Sequence, residues 1–296
     1  MTRELIVLGT ASQVPTRQRS HNAYLLRFDE YGVLFDPGEG AQRQMLLAGL
    51  PTSAVDRICV THFHGDHCLG LPGIIQRLSL DGVDHPVPVH FPASGAVYFE
   101  RLRHASFFVD KAPVEPAPIE ADGLIGTGPF GSLYARRLHH SVDSYGYRLV
   151  EPDGRRMLPD RLAAAGVYGA DIGRLQRDGG PLLDQVSEVR PGQIVAFVMD
   201  TGWCPAAVEL AADADLLIIE ATFLNTETEL AAISGHLTAE QAGRIAAEAG
   251  VRKLVLTHFS QRYAEPHAFG EEAAQAYSGE IVVAEDLTHI PLPARR

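Results

Sequence analysis

The chain has 296 residues, 46% hydrophobic and 21% charged, enough to bury a full α/β core in one large domain or two small ones. Its 25 Lys and Arg stand against 37 Asp and Glu, and the net charge of −12 excludes indiscriminate binding to polyanions, so any RNA contact has to be local. Three cysteines (Cys59, Cys68, Cys204) without a Cys-x-x-Cys spacing give neither a disulfide framework nor a thiolate zinc site, and no apolar stretch is long enough to cross a bilayer.

The first apolar run, Leu5 to Leu8, is too short for a signal peptide, which predicts a cytoplasmic protein. From Leu5 to Phe28 the chain carries Arg17, Arg19 and Arg27 and no acid, so its loop offers local positive charge suited to bidentate phosphate contacts. A strand over 32–35 ends at Asp36-Pro37-Gly38 and leads into a helix over 42–50. A second, 57–61, runs into a histidine cluster and then a helix through Leu69 to Ile75. The Pro-rich stretch 112–118 reads as a loop. A strand over 132–138 ends at His139-His140, and across 151–178 five arginines meet five acids. Three more strands follow: 194–199 stops at Asp200, 216–219 at Glu220 and 253–257 at His258, while Gly235-His236-Leu237-Thr238 precedes an apolar-periodic helix over 239–249. No linker interrupts this series, so one domain over 1–296 is expected.

Strands buried on both faces gather reactive groups at their carboxyl ends, in the crevice outside the sheet, and that is where the histidines and aspartates fall. The halves also echo one another. Val60-Thr61-His62-Phe63 matches Leu256-Thr257-His258-Phe259, and Phe35-Asp36-Pro37-Gly38 matches Met199-Asp200-Thr201-Gly202. A degenerate duplication predicts two packed sheets with one site between them.

The densest chemistry is Thr61-His62-Phe63-His64-Gly65-Asp66-His67, three imidazoles and a carboxylate directly after a strand. Imidazole nitrogen and carboxylate oxygen suit zinc, and extended backbone sends His62 and His64 one way while the Asp66-His67 turn points another, which makes two adjacent metal sites. Further ligands are needed, and His140, Asp200 and His258 meet the strand-end condition. A carboxylate can bridge two metals, so Asp200 is the natural shared ligand. Strand alternation lets only one of His139 and His140 face the metals, and spacing alone does not choose. The remaining histidines (His21, His85, His90, His104, His267, His289) and Cys68 read as surface or core residues.

These motifs resemble the ribonuclease Z (tRNA 3′-endonuclease) branch of the metallo-β-lactamase superfamily over nearly the whole chain. Leu8-Gly9-Thr10, Pro15-Thr16-Arg17-Gln18-Arg19, Phe35 to Gly40, the His62 to His67 cluster, His140 with Gly146-Tyr147-Arg148, Asp200-Thr201, Glu220 to Phe223, Gly235 to Thr238 and Thr257 to Tyr263 carry the resemblance. The histidine cluster by itself marks only the superfamily. The resemblance implies a four-layer αββα sandwich and selects His140 over His139. It also implies two zinc ions, one held by His62, His64 and His140, the other by Asp66, His67 and His258, with Asp200 shared.

The reaction so implied is hydrolysis of a phosphodiester by hydroxide, removing the 3′ trailer of precursor tRNA and leaving a 3′-hydroxyl. Asp66 both ligates and accepts the proton of the attacking water. His236, not at a metal-bearing strand end, is the candidate donor to the leaving ribose oxygen, and the resemblance makes Glu220 its orienting partner. The resemblance also places Arg17 and Arg19 near the RNA 3′ end, an inserted tRNA-binding arm at about 151–185, and a homodimer in which one subunit's arm holds RNA cut by the other. The arm here lacks the family's Gly-Pro element and is charge-neutral. The alternatives are a zinc phosphodiesterase for small diesters or cyclic nucleotides, a thioester or lactone hydrolase on the same cluster, and a non-cleaving binding protein; the complete ligand set with His236 argues against the last. Manganese or iron suits the same ligands.

Overall fold

The computed structural model describes residues 2–296. The N-terminal apolar run forms β1 (Arg3–Gly9), antiparallel to β2 (Ala23–Phe28), which is antiparallel to β3 (Tyr31–Phe35). Helical crossovers then add β4 (Arg57–Cys59), β5 (Val87–Pro92) and β6 (Val114–Ile119) in parallel, as connections of this length allow. Helices α1 (Ala41–Leu47), α2 (Gly65–Cys68), α3 (Leu71–Leu80) and α4 (Ala96–Arg103) lie in those crossovers and after β5.

The second half repeats this order. Strands β7 (Gly123–Gly128), β8 (Gly131–Arg137) and β9 (Tyr145–Val150) are antiparallel neighbours. The chain then leaves the sheet: β10 (Gly154–Met157) and β11 (Ser187–Arg190) form a separate two-stranded ribbon around α5 (Pro159–Ala164), α6 (Ala170–Asp178) and α7 (Pro181–Val186). Strand β12 (Ile194–Val198) rejoins antiparallel to β9, followed in parallel by β13 (Leu216–Glu220), β14 (Lys253–Thr257) and β15 (Glu280–Val283). Their crossovers hold α8 (Pro205–Ala211), α9 (Thr228–Ser234), α10 (Ala239–Glu248) and α11 (His267–Ala273). A last strand, β16 (His289–Pro291), returns to pair with β1.

The result is two seven-stranded sheets, β16-β1-β2-β3-β4-β5-β6 and β15-β14-β13-β12-β9-β8-β7. Three apolar clusters define the layers. One fills the space between the sheets, with Phe35 stacked on Phe197 at 4.4 Å; one seals α1, α2, α3 and α4 on the first sheet; one seals α8, α10 and α11 on the second. This is the expected four-layer αββα sandwich. None of the described helices is long and apolar enough to cross a membrane.

The topology sorts the two sequence echoes. Strands β3 and β12 are equivalent, each the switch from antiparallel to parallel pairing, and they end at Asp36 and Asp200. The Thr-His-Phe echo joins strands that are not equivalent, because the counterpart of β4 is β13, which ends at Glu220. Each simply places a histidine at a parallel strand's carboxyl end.

Two boundaries differ from expectation. The Pro-rich stretch is an edge strand, not a loop: Pro116 and Pro118 lie two residues apart in β6, so their missing donors point the same way, off the free edge of the sheet. The excursion expected at about 151–185 runs from Gly154 to Arg190.

The corner after β3 packs hard against the histidine loop. A Cβ on Gly38 would sit 2.2 Å from the Asp66 carbonyl oxygen. Gly38→Ala should therefore force the corner and α2 apart and cost about 1–3 kcal/mol. Urea denaturation checks this; an unchanged midpoint and slope would mean that the corner yields freely.

Candidate metal centre

The histidine loop is fastened from outside before anything is bound within it. Asp36, at the end of β3, accepts from the Thr61 amide and hydroxyl, both at 2.7 Å, and from His67 Nδ1 at 2.8 Å. Asn22 Nδ2 donates to the Asp66 carbonyl at 2.8 Å. Across the crevice, the His140 Nδ1 proton goes to the Gly235 carbonyl at 3.0 Å, and His258 Nδ1 meets the Thr222 hydroxyl at 2.9 Å. Backbone strain accompanies this fixation: Asp36, Asp200 and His258 all have positive φ (41°, 26° and 62°), a conformation that non-glycine residues hold only where the surroundings enforce it.

With the outer nitrogens engaged, the inner atoms converge. His62 Nε2 lies 2.9 Å from His64 Nδ1, and His140 Nε2 lies 3.3 Å from the same atom. Asp200 Oδ2 is 3.6 Å from His62 Nε2 and 3.7 Å from His140 Nε2; its Oδ1 is 3.2 Å from Nε2 of both His67 and His258. Asp66 Oδ2 closes the group at 3.3 Å from His258 Nε2 and 3.4 Å from His67 Nε2. Three overlapping sets result, His62, His64, His140 and Asp200; Asp66, His67 and His258; and Asp200, His236 and His258, each with donor atoms within 4.8 Å of one another.

A cation fits this arrangement and a hydrogen-bond network does not. Asp200 Oδ1 is buried and accepts no well-formed hydrogen bond, although two imidazoles face it. Burial pushes the Asp66 and Asp200 carboxyls upward, yet the surrounding imidazoles hold both well below the usual carboxylate range. Burial holds His62 well below the ordinary imidazole value, while for His67 burial is outweighed by Asp200, Asp66 and Asp36, which raise it far above. Electron pairs thus outnumber protons around a shared centre, the condition that divalent cations relieve.

His236 stands beside this cluster and differs in kind. Its Nδ1 donates to Glu220 Oε1 at 2.9 Å, and its Nε2 faces Asp200 Oδ2 at 3.9 Å. Burial disfavours the imidazolium, but Glu220 and Asp200 overcome it and raise the pKa to about 9. Glu220 stays ionised: burial raises it, and the His236 charge more than compensates. The Gly235 turn and the Thr238 cap of α10, reciprocated by Gln241, hold His236 in place.

His64, Asp66, His140, Asp200, His236 and His258 floor a cleft of about 330 Å³ that Ser12, Gln13, Ser141 and Arg262 also line. A larger hollow of about 540 Å³ between α1 and α3 contains none of them. His139 is exposed and outside the cluster whereas His140 joins it; both follow the end of β8 at Arg137, so the bend after the strand, and not alternation along it, separates the pair. The two loop arginines separate. Arg17 is exposed, whereas Arg19 is 8% exposed and donates to the Ser260 and Tyr263 carbonyls at 3.2 and 2.7 Å, pinning its loop to the segment after His258. Sequence reasoning assigned nothing to Asp36, Asn22 and Thr222. The Asp36 echo of Asp200 at equivalent strand ends was the available signal for Asp36, and the Glu220 to Phe223 motif for Thr222; for Asn22 there was none.

Comparison with known proteins agrees with this geometry. The metallo-β-lactamase superfamily model matches residues 16–152, and a β-lactamase superfamily domain model matches 183–259. Among solved structures, the metallo-β-lactamase fold protein YhfI from Bacillus subtilis superposes with a TM-score of 0.73 at 21% identity, covering 98% of this chain and 99% of its own. Human tRNase Z, short form, gives 0.71 at 25% identity over 98% and 100% of the two chains. A curated relative from Streptomyces coelicolor, Ribonuclease Z, is 60% identical across 99% of both chains. Identity of that extent, over all the strands that converge on the cluster, makes this chain a member of the ribonuclease Z family.

Proposed function

We propose that the chain is a zinc-dependent endoribonuclease that removes the 3′ trailer from precursor tRNA. The observation that carries it is the Glu220–His236 pair beside the cluster: a protonated imidazole suits departure of a ribose 3′-oxygen, an alkoxide too basic to leave unaided. Relatives named Ribonuclease Z and a neighbour named tRNase Z support tRNA as the substrate. In this reading His62, His64 and His140 would hold one zinc and Asp66, His67 and His258 another, with Asp200 offering an oxygen to each. When bound, such cations would supply a water of lowered pKa and charge to neutralise the phosphoryl oxygens.

The chain's own residues do the rest. An Asp66 carboxylate oxygen takes the proton of the attacking water. The bond from phosphorus to the 3′-oxygen breaks, His236 Nε2 gives that oxygen its proton, and the phosphate stays on the trailer. Glu220 keeps His236 charged and aimed. Arg17 is left as the loop's phosphate contact. In the excursion, Arg155 pairs with Asp184, Arg156 with Glu188 and Arg174 with Asp171, while Arg161, Arg177 and Arg190 form no ion pair among the described residues and supply the arm's grip on tRNA. The outer helix layer of the first sheet leaves Leu46, Leu80 and Tyr98 exposed, and Phe107 after α4 is 99% exposed, apolar surface that supports a homodimer. A tRNA substrate supports a cytoplasmic location.

On a precursor tRNA with a 3′ trailer, the protein should make one cut beside the discriminator base and leave a 3′-hydroxyl. Asp66→Ala should lose activity about 10³-fold or more, and His236→Ala about 10²- to 10⁴-fold. Intact tRNA together with Asp66-dependent hydrolysis of a small model diester would shift the assignment to a small-molecule phosphodiesterase.

The acid also predicts a pH limb. Because the His236 pKa is raised above 6.5, the acid form is present below about pH 9 and is lost above it. Bound cations oppose that proton, so the alkaline limb of kcat falls at or below pH 9. Glu220→Gln removes the foremost supporting charge and should move the limb further down; an unmoved limb would separate Glu220 from the acid.

A further inference from the structure

The steps above leave Thr222 without a task, although it sits at their centre. It is 3% exposed in the turn after β13, and its Oγ1 lies 2.6 Å from Glu220 Oε2, 2.9 Å from His258 Nδ1 and 3.4 Å from His236 Nδ1. Proton counting fixes the directions. A carboxylate can only accept, so the single hydroxyl proton goes to Glu220, and the hydroxyl's lone pair accepts from His258 Nδ1–H.

Glu220 has no capacity left for His258 directly. Its Oε1 accepts from the Thr201 amide at 2.8 Å and from His236 at 2.9 Å; its Oε2 accepts from the Thr222 hydroxyl and from the Thr222 and Leu237 amides at 3.3 and 3.2 Å. His236 takes Oε1, the shorter of its two contacts, and leaves Thr222 to His258. With the proton on Nδ1, His258 must present the Nε2 lone pair toward Asp66 and Asp200, the direction in which a ligand is needed.

We propose that Thr222 is a positioning residue that relays the Glu220 charge to His258, so that one carboxylate orients both a metal ligand and the acid that protonates the leaving group. The hydroxyl turns a saturated carboxylate into an acceptor for a second imidazole and so fixes the His258 tautomer. The relay rests on the reading of His258 as a ligand and goes beyond it by assigning Thr222.

Thr222→Val keeps the shape and removes the hydroxyl, whereas Thr222→Ser keeps the hydroxyl and removes a methyl. Metal retention against a chelator, read as zinc content, should fall about 10- to 100-fold in Thr222→Val for one of two ions and stay near wild type in Thr222→Ser. The kcat for a small model diester should fall with it, while KM for precursor tRNA holds. In the zinc-loaded wild-type protein, long-range ¹H–¹⁵N correlation of the imidazoles should show His258 protonated at Nδ1. Equal retention in Thr222→Val overturns the relay, and so does a Thr222→Ser protein that behaves like Thr222→Val, since packing of the methyl would then be the cause. If Thr222→Val does not fold, the tautomer still decides: a His258 proton on Nε2 in the wild type overturns the proposal. A wild-type protein that retains only one zinc removes the ligand reading itself, a result distinct from failure of the relay.

Discussion

Lone pairs turned toward lone pairs across a buried gap are the constraint on which the rest of this structure depends. Asp66, Asp200 and five imidazoles from two sheets bring their inner atoms together in groups whose donor atoms lie within 4.8 Å of one another, and Asp200 Oδ1 is left without a hydrogen bond. Such a cluster repels itself unless cations lie within it. The fold resists that repulsion through rigid supports: parallel strands that end together, a glycine corner pressed on the histidine loop, and three backbone positions held at positive φ.

The outer hydrogen bonds decide what each inner atom can do. Asp36 and the Gly235 carbonyl take the far protons of His67 and His140, and the Thr222 hydroxyl takes that of His258, so that the near nitrogens face the cluster, where a cation would replace the proton that His67 otherwise keeps. Glu220 does the opposite for His236, which it keeps protonated. In the proposed reading, histidines of one type divide into ligands and an acid according to the residue behind each, a division of roles made by environment and not by residue identity.

Most of this was legible in the sequence because strand ends and chemistry coincide. The apolar β-branched runs before Asp200, Glu220 and His258 identify both the strand and the residue delivered to the crevice, and the His62 to His67 spacing is dense enough to mark metal chemistry by itself. What escaped was set by tertiary contacts. Pro116 and Pro118 argue for a loop until an edge strand with its free side outward accommodates them. Arg19 looks like a surface cation until the segment after His258 offers it two carbonyls. His139 and His140 both lie beyond the end of β8, so strand alternation could not tell them apart. Thr222 lies inside the Glu220 to Phe223 motif, but its place between Glu220 and His258, 36 residues farther along the chain, is a tertiary contact that the motif does not reveal.

Whether two cations belong between these side chains is tested most directly by anomalous diffraction at the zinc edge, from crystals of protein prepared without chelators. Two peaks roughly 3.5–4 Å apart are expected, one among His62, His64 and His140 and one among Asp66, His67 and His258, with Asp200 between them. A single peak, or peaks away from these residues, would contradict the two-cation reading.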